Sequence, residues 1–165
     1  MKKYVLFGHG GSGNHGCEAI VRSTCKILGE ENKFFLYSKN PVEDKFFGLT
    51  ETVKTMFDKD YFSPSTKSLK GLYYRALAKL NKDADYDLIE NVKNNKGLLK
   101  KNAVALSVGG DNYCYGGIVN DLKAKINALE YKNIPIVLWG CSIGQNELYE
   151  SALKDIKRYD LITAR

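Results

Sequence analysis

Short apolar runs alternate with helical patterns along most of the chain. Two of them contain unbroken apolar stretches, at 104–106 and 136–139, which is typical of strands covered on both faces of a parallel sheet. The run at 51–57 is the weakest of the set. Together the sequence predicts six strands, at 3–8, 33–38, 51–57, 103–110, 134–140 and 159–164.

Between and after these runs the apolar residues recur at helical spacing. The first such stripe runs from Cys17 to Leu28, and Gly29 is a suitable helix stop. Similar stripes cover 69–80, 118–129 and 148–156. Strands that alternate with helices predict an α/β fold with a doubly wound, mainly parallel, Rossmann-like sheet.

The length of 165 residues suits one domain. The segment 58–102 is longer than one crossover helix needs, and we expect a helical insertion there. Between Lys67 and Lys101, nine Lys/Arg residues face four Asp/Glu residues, so much of the net charge of +6 lies in this insertion. Such a surface is either simply solvated or attracts an anionic partner, such as a phosphate-bearing substrate or the inner membrane face. Nucleic acid is not expected, because no recognition motif accompanies the charge.

No apolar run approaches the roughly 20 residues that cross a bilayer. The four apolar residues 4–7 are too few for the core of a signal peptide, so we expect a cytoplasmic protein. The four cysteines show no ligand spacing, which favours free thiols and no metal site.

A glycine-rich loop, "GHGGSGNHG" at 8–16, follows the first strand and contains both histidines of the chain. It satisfies the dinucleotide pattern G-x-G-x-x-G, but no acidic residue ends the second strand to bind a ribose hydroxyl. Lys39 stands there instead and leaves a 2′-phosphate as an alternative. Asn14 and His15 also suit sugar hydroxyls, unless Asn14 only caps the following helix.

Two further glycine turns follow later strands. In "SVGGDNYCYGG" at 107–117, Asp111 follows two glycines and can orient or deprotonate a substrate hydroxyl, or cap the next helix. Tyr113 and Tyr115 can stack on a sugar or pack in the core. The turn "WGCSIGQN" at 139–146 matches a hydrolase elbow around Ser142, but no histidine follows His15, so a catalytic triad cannot close.

These turns, in their order, resemble the polysaccharide pyruvyl transferase family. Asn14, Gly16, Glu18 and Ala19 match its Asn-x-Gly-[Asp/Glu]-Glu-Ala block, with Cys17 where an acidic residue is common. Its Gly-Gly-Asp turn matches 109–111, and its Gly-x-Ser-Ile-Gly-Pro turn matches 140–145 with Gln145 in place of proline. Its late Arg-Glu matches Arg165. The resemblance spans nearly the whole chain but only the N-terminal half of the family.

The resemblance implies a two-lobed GT-B-type transferase that moves the enolpyruvyl-derived group of phosphoenolpyruvate onto a sugar of a cell-surface polysaccharide, as a pyruvate ketal. It implies residue chemistry with no cofactor and no metal. The chain corresponds to the N-terminal, acceptor-side lobe, and we expect the donor arginines and a catalytic histidine in a C-terminal lobe that this chain lacks. Alone, the chain is then expected to be inactive.

The resemblance and the turns together give the expected site. Asp111 is the first choice for the catalytic carboxylate, and His15 is the next. The expected substrate-binding residues are Gly10, Gly11, Ser12, Asn14, Gly110, Tyr113, Ser142 and Arg165. A GT-B lobe that uses a nucleotide sugar, and a non-catalytic glycan-binding module, remain as alternatives.

Overall fold

A computed structural model describes residues 1–58, 68–69, 72–73, 76, 96–114, 116–143 and 150–164. Six parallel strands form one sheet in the order β3-β2-β1-β4-β5-β6. They are β1 (Lys3–His9), β2 (Lys33–Ser38), β3 (Lys54–Phe57), β4 (Ala103–Ser107), β5 (Ile136–Cys141) and β6 (Leu161–Ala164). The predicted α/β fold with a Rossmann-like parallel sheet is confirmed.

The described helices are α1 (His15–Leu28), α2 (Pro41–Phe46), α3 (Gly116–Tyr131) and α4 (Glu150–Ile156), with a short 3-10 helix at Leu49–Glu51. The hydrophobic pattern does not predict α2, which has only six residues. The sequence nevertheless contains signals for the start of this helix. Asn40 caps the helix by accepting the Glu43 N–H at 3.3 Å, and Pro41 occupies the first turn.

Alternate residues of β1 pack on opposite faces of the sheet. Val5 and Phe7 belong to a core cluster that includes residues of α3 and α4. Tyr4 and Leu6 belong to a second cluster that includes Val21 of α1. Helices therefore cover both faces, which explains why the central strands read as unbroken apolar runs.

The strand order places the chain's topological switch point between β1 and β4. From β1 the chain moves outward through β2 and β3, and it then returns to the other side of β1 as β4. Loops that follow the two strands of such a switch point diverge and leave a crevice at the carboxyl edge, where ligands of open α/β sheets bind. The three predicted glycine turns follow β1, β4 and β5, which are neighbours, so the expected convergence at one edge is confirmed.

Most of the predicted helical insertion at 58–102, with its excess of positive charge, lies outside the described residues. Its described end joins the core, where Leu98 is fully buried. In the ranges that the structure describes, no helix combines the length and apolar character that a bilayer crossing needs.

Candidate functional site

A cavity of about 270 Å³ lies at the switch point, between the glycine loop after β1 and the turn after β4. Four of the predicted site residues line it: Gly10, Asn14, Gly110 and Asp111. The rest of the wall comes from Gly8, Gly16, Cys17, Ile20, Gly109 and Asn112. The structure thus brings the first and second glycine turns together around one small space.

Asp111 presents an exposed side chain at this cavity. Its backbone carbonyl accepts the Cys114 N–H at 3.0 Å, which closes the turn. Within the described part of the chain, no group donates a hydrogen bond to its carboxylate. Its side chain therefore does not serve as a helix cap toward any described residue.

Asn112 braces the two turns from behind. Its amide nitrogen donates to the Gly8 carbonyl at 3.1 Å, and its amide oxygen accepts from the Gly109 N–H at 3.1 Å and from the Ser107 hydroxyl at 3.0 Å. A β-carbon at Gly8 or at Gly109 would overlap this side chain. The glycines of both turns therefore make room for a buried amide that fixes the distance between the loops.

The far side of the glycine loop faces α2 instead of the cavity. The Ser12 N–H and hydroxyl donate to Asp44 Oδ1 at 3.0 and 2.7 Å, and the Gly13 N–H donates to Glu43 Oε2 at 3.0 Å. Ser12 is fully buried, and Gly11 is buried against the Glu43 side chain. The structure does not bring Gly11 or Ser12 to the cavity, because α2 holds them on its own side.

The N-terminus of α1 is capped by the chain itself. The side-chain oxygen of Asn14 accepts the Gly16 N–H at 3.0 Å, and the backbone carbonyl of Asn14 accepts the Cys17 N–H at 2.9 Å. The alternative that Asn14 caps this helix is therefore confirmed, while Asn14 also lines the cavity. These N–H groups are not free to bind a dinucleotide phosphate.

Lys39, on which the alternative of a bound 2′-phosphate depended, forms ion pairs with carboxylates. Its Nζ lies 3.0 Å from Asp121 Oδ2 and 3.6 Å from Asp58 Oδ2. The buried Lys125 joins the same cluster, at 3.1 Å from Asp58 Oδ2. A lysine already neutralised in this way has little charge to offer a phosphate.

His15 lies beside the cavity without lining it. Its side chain is 72% exposed, and its Nδ1 is 3.1 Å from Glu18 Oε2. Its ring meets the Phe47 ring edge to face, with 5.0 Å between the centroids. The second catalytic choice therefore contacts Glu18 and Phe47 and is not part of the cavity wall that contains Asp111.

The remaining predicted residues take other positions. Tyr113 is fully buried, and its hydroxyl donates to the Tyr159 hydroxyl at 3.0 Å, so it packs in the core and cannot stack on a sugar in this structure. The Ser142 N–H donates to the Gly110 carbonyl at 2.8 Å and joins the third turn to the second. Tyr115, Gly144, Gln145 and Arg165 lie outside the described residues.

Cys17 is the one cysteine in the cavity wall. It is half-buried, and burial raises the pKa of its thiol, so the thiol is neutral beside Asp111 at pH 7. All four cysteines are free thiols; Cys25 and Cys141 are buried, and Cys17 and Cys114 are half-buried. Within the described ranges, no group of three or more His, Cys, Asp or Glu side chains is placed to hold a metal ion.

Sequence reasoning missed Asp44, Glu43 and Asn112, the residues that hold the loops. Asn40 and Pro41 signal the helix that carries the two carboxylates. For Asn112 the sequence carries no signal beyond its place after the Gly-Gly-Asp turn, because its partners Gly8 and Ser107 come from other parts of the chain.

Comparison with known proteins agrees with the motifs. No curated protein and no solved structure matches the chain. A family model described as polysaccharide pyruvyl transferase matches residues 14–165, starting at the Asn14 that both caps α1 and lines the cavity. This match covers most of the sequence, and the chain belongs to the polysaccharide pyruvyl transferase family.

Proposed function

We propose that this chain forms the acceptor-binding part of an enzyme that transfers pyruvate from phosphoenolpyruvate to a sugar of a cell-surface polysaccharide, as a ketal. The observation that carries the proposal is the exposed carboxylate of Asp111 at the switch-point cavity, beside Asn14 and Gly110. Family membership supplies the reaction class.

The reaction needs proton transfers and one leaving group. Protonation of the enol carbon turns the CH₂ group of the donor into CH₃ and leaves an oxocarbenium-like centre at the neighbouring carbon. Two sugar hydroxyls attack that carbon in turn and form two new C–O bonds. The bond from this carbon to the phosphate oxygen breaks, and inorganic phosphate leaves. Of the two protons that the hydroxyls lose, one balances the proton on carbon and one leaves with phosphate.

In this reaction Asp111 receives a hydroxyl of the acceptor. Its carboxylate accepts the hydrogen bond of the attacking hydroxyl and takes up its proton as the new C–O bond forms. Asn14 and the backbone of Gly10 and Gly110 contact the remaining hydroxyls. His15 has no place in this first role, because its ring is turned toward Glu18 and Phe47.

The donor phosphate binds elsewhere in this proposal. The N–H groups of Ser12, Gly13, Gly16 and Cys17 all have acceptors within the chain. The cations that stabilise the departing phosphate belong, by the resemblance, to a second lobe of a GT-B-type arrangement. Arg165 is the residue of this chain that we assign to the donor side.

The test is the Asp111→Asn substitution in the full-length enzyme, with phosphoenolpyruvate as donor and phosphate release as readout. We expect turnover to fall by about 10²–10⁴-fold, because a neutral amide cannot accept the proton. The melting temperature is expected to stay within experimental error. Glu30→Gln, an exposed change just beyond the end of α1, is the control and should retain full turnover.

Normal turnover in a folded Asp111→Asn protein would remove the carboxylate from the mechanism. Sugar transfer from a nucleotide sugar, without consumption of phosphoenolpyruvate, would identify a glycosyltransferase instead. Sugar binding without any transfer would identify a glycan-binding module.

A further inference from the structure

Two neighbouring carboxylates of α2 occupy the N–H donors of the glycine loop. Asp44 Oδ1 accepts from the N–H and the hydroxyl of Ser12, and His9 Nε2 lies 2.9 Å from the same oxygen. Glu43 Oε2 accepts from the Gly13 N–H at 3.0 Å. Successive N–H groups in a glycine-rich loop after a strand are the groups that hold phosphate in nucleotide-binding proteins. Here they hold side chains of the same chain.

Asp44 is built into this position. It is fully buried, and so is its partner Ser12, while His9 is 1% exposed. Burial alone would raise the pKa of Asp44, but hydrogen bonds from Ser38, Ser12 and His9 outweigh burial and lower it below its usual value. The carboxylate is therefore ionised at pH 7, as a bound anion would be.

The glycines of the loop fit these carboxylates. A β-carbon at Gly11 or at Gly13 would come within 2.7 Å of Glu43 Oε2. At Gly10, in contrast, a β-carbon would meet nothing within 4 Å, because this residue opens onto the cavity. One side of the loop is thus shaped around α2, and the other side is left for a ligand.

We propose that Glu43 and Asp44 are specificity-determining residues that act as an internal anion for the glycine loop. They satisfy the donors that phosphate would take, and they hold the loop so that Gly10 and Asn14 line the cavity. The loop then accepts an uncharged, hydroxyl-bearing ligand and rejects phosphate esters. This inference rests on the proposed function where it names that ligand as the sugar acceptor.

The test is a titration of the ¹⁵N-labelled protein with inorganic phosphate, followed by the amide resonances of Ser12 and Gly13. In the wild-type protein we expect no saturable shift of either resonance. In Glu43→Ala, which frees the Gly13 N–H, we expect a phosphate-dependent shift at Gly13. We also expect its hydrogen exchange to become at least about tenfold faster, because a charge-assisted hydrogen bond is lost.

Glu43→Gln is the matched control. Its side-chain oxygen can still accept the Gly13 N–H, so slow exchange is expected to return and the phosphate shift to disappear. This rescue separates an occupied donor from a merely destabilised loop. Glu43 lies on a partly exposed surface, so the test does not depend on removing the buried Asp44.

A saturable phosphate shift at Ser12 or Gly13 in the wild-type protein would overturn the inference, and so would unchanged Gly13 exchange in Glu43→Ala. Neither measurement requires turnover. An inactive enzyme with an unreactive loop would therefore contradict only the proposed function, while an active enzyme whose loop binds phosphate would contradict only this inference.

Discussion

The amide nitrogen of Asn112 donates to the carbonyl of Gly8 at 3.1 Å, across the switch point between β1 and β4. This bond joins the end of one strand to the turn that follows its neighbour. Asn112 is buried in the cavity wall, so the bond is largely shielded from water. The Asn112 amide and the two glycines that accommodate it therefore link the two turns that form the cavity wall.

Replacing Gly8 by alanine should destabilise the protein by about 1–3 kcal/mol. Gly8 has a φ of 84°, which strains any other residue, and its new β-carbon would overlap Asn112. Urea unfolding gives the measurement. The control is Gly10→Ala, whose β-carbon meets nothing within 4 Å. Equal losses of stability in the two variants would show that the contact between Gly8 and Asn112 does not contribute to stability.

Cys17 should report occupancy of the cavity. Because burial raises the pKa of its thiol, we expect slow alkylation by iodoacetamide at pH 7 and faster alkylation as the pH rises. A bound sugar acceptor should slow the reaction further, and inorganic phosphate should not. Mass spectrometry of the labelled peptide gives the rate, with Cys114, which is not in the cavity wall, as internal reference. Equal protection of both thiols would argue against a ligand at this cavity.

The Lys125→Met substitution should destabilise the protein by about 3–5 kcal/mol. Lys125 and Asp58 are each 1% exposed, so removing the lysine takes from a buried carboxylate the nearest cation among the described residues. Lys39→Met is the control, because Lys39 is 35% exposed and water can replace it more easily. The free energies of unfolding in urea decide the comparison. If Asp58→Asn is added to Lys125→Met, part of the loss should be recovered.

Asp44 should make stability depend on pH in the acidic range. Its pKa is lowered in the folded protein and is ordinary in the unfolded chain, so the unfolded state binds its proton first as the pH falls. The stabilisation from Asp44 is therefore complete above the unfolded pKa and is lost as the pH falls through the folded pKa.

Urea unfolding of the wild type between about pH 6 and pH 2 should show this loss, and Asp44→Asn should show a flatter profile. The variant will be less stable near neutral pH, since a neutral amide replaces a carboxylate whose Oδ1 alone accepts three hydrogen bonds. Parallel profiles for the two proteins would assign the acid sensitivity to other groups.

The order of apolar runs and glycine turns was enough to predict the parallel sheet and the edge at which the turns meet. A strand buried on both faces must be apolar, and the loop after it must bend sharply at the carboxyl edge. Both properties depend on residues that are adjacent in sequence, so the sequence alone predicts them. The motifs around Asn14 and Asp111 were equally readable, and they led to the family that the comparison shows. The position of Asp111 after the end of a strand was enough to predict that it lies at this edge of the sheet.

Other properties depend on residues that are distant in sequence, and only the tertiary structure decided them. Tyr113 could stack on a sugar or fill the core, and the core position follows from Tyr159, which lies 46 residues away. The glycine loop could hold a phosphate until α2 placed Glu43 and Asp44 against its N–H groups. The sequence of a glycine loop indicates that its N–H groups can donate hydrogen bonds. Which acceptor they bind depends on how separate elements pack against the loop.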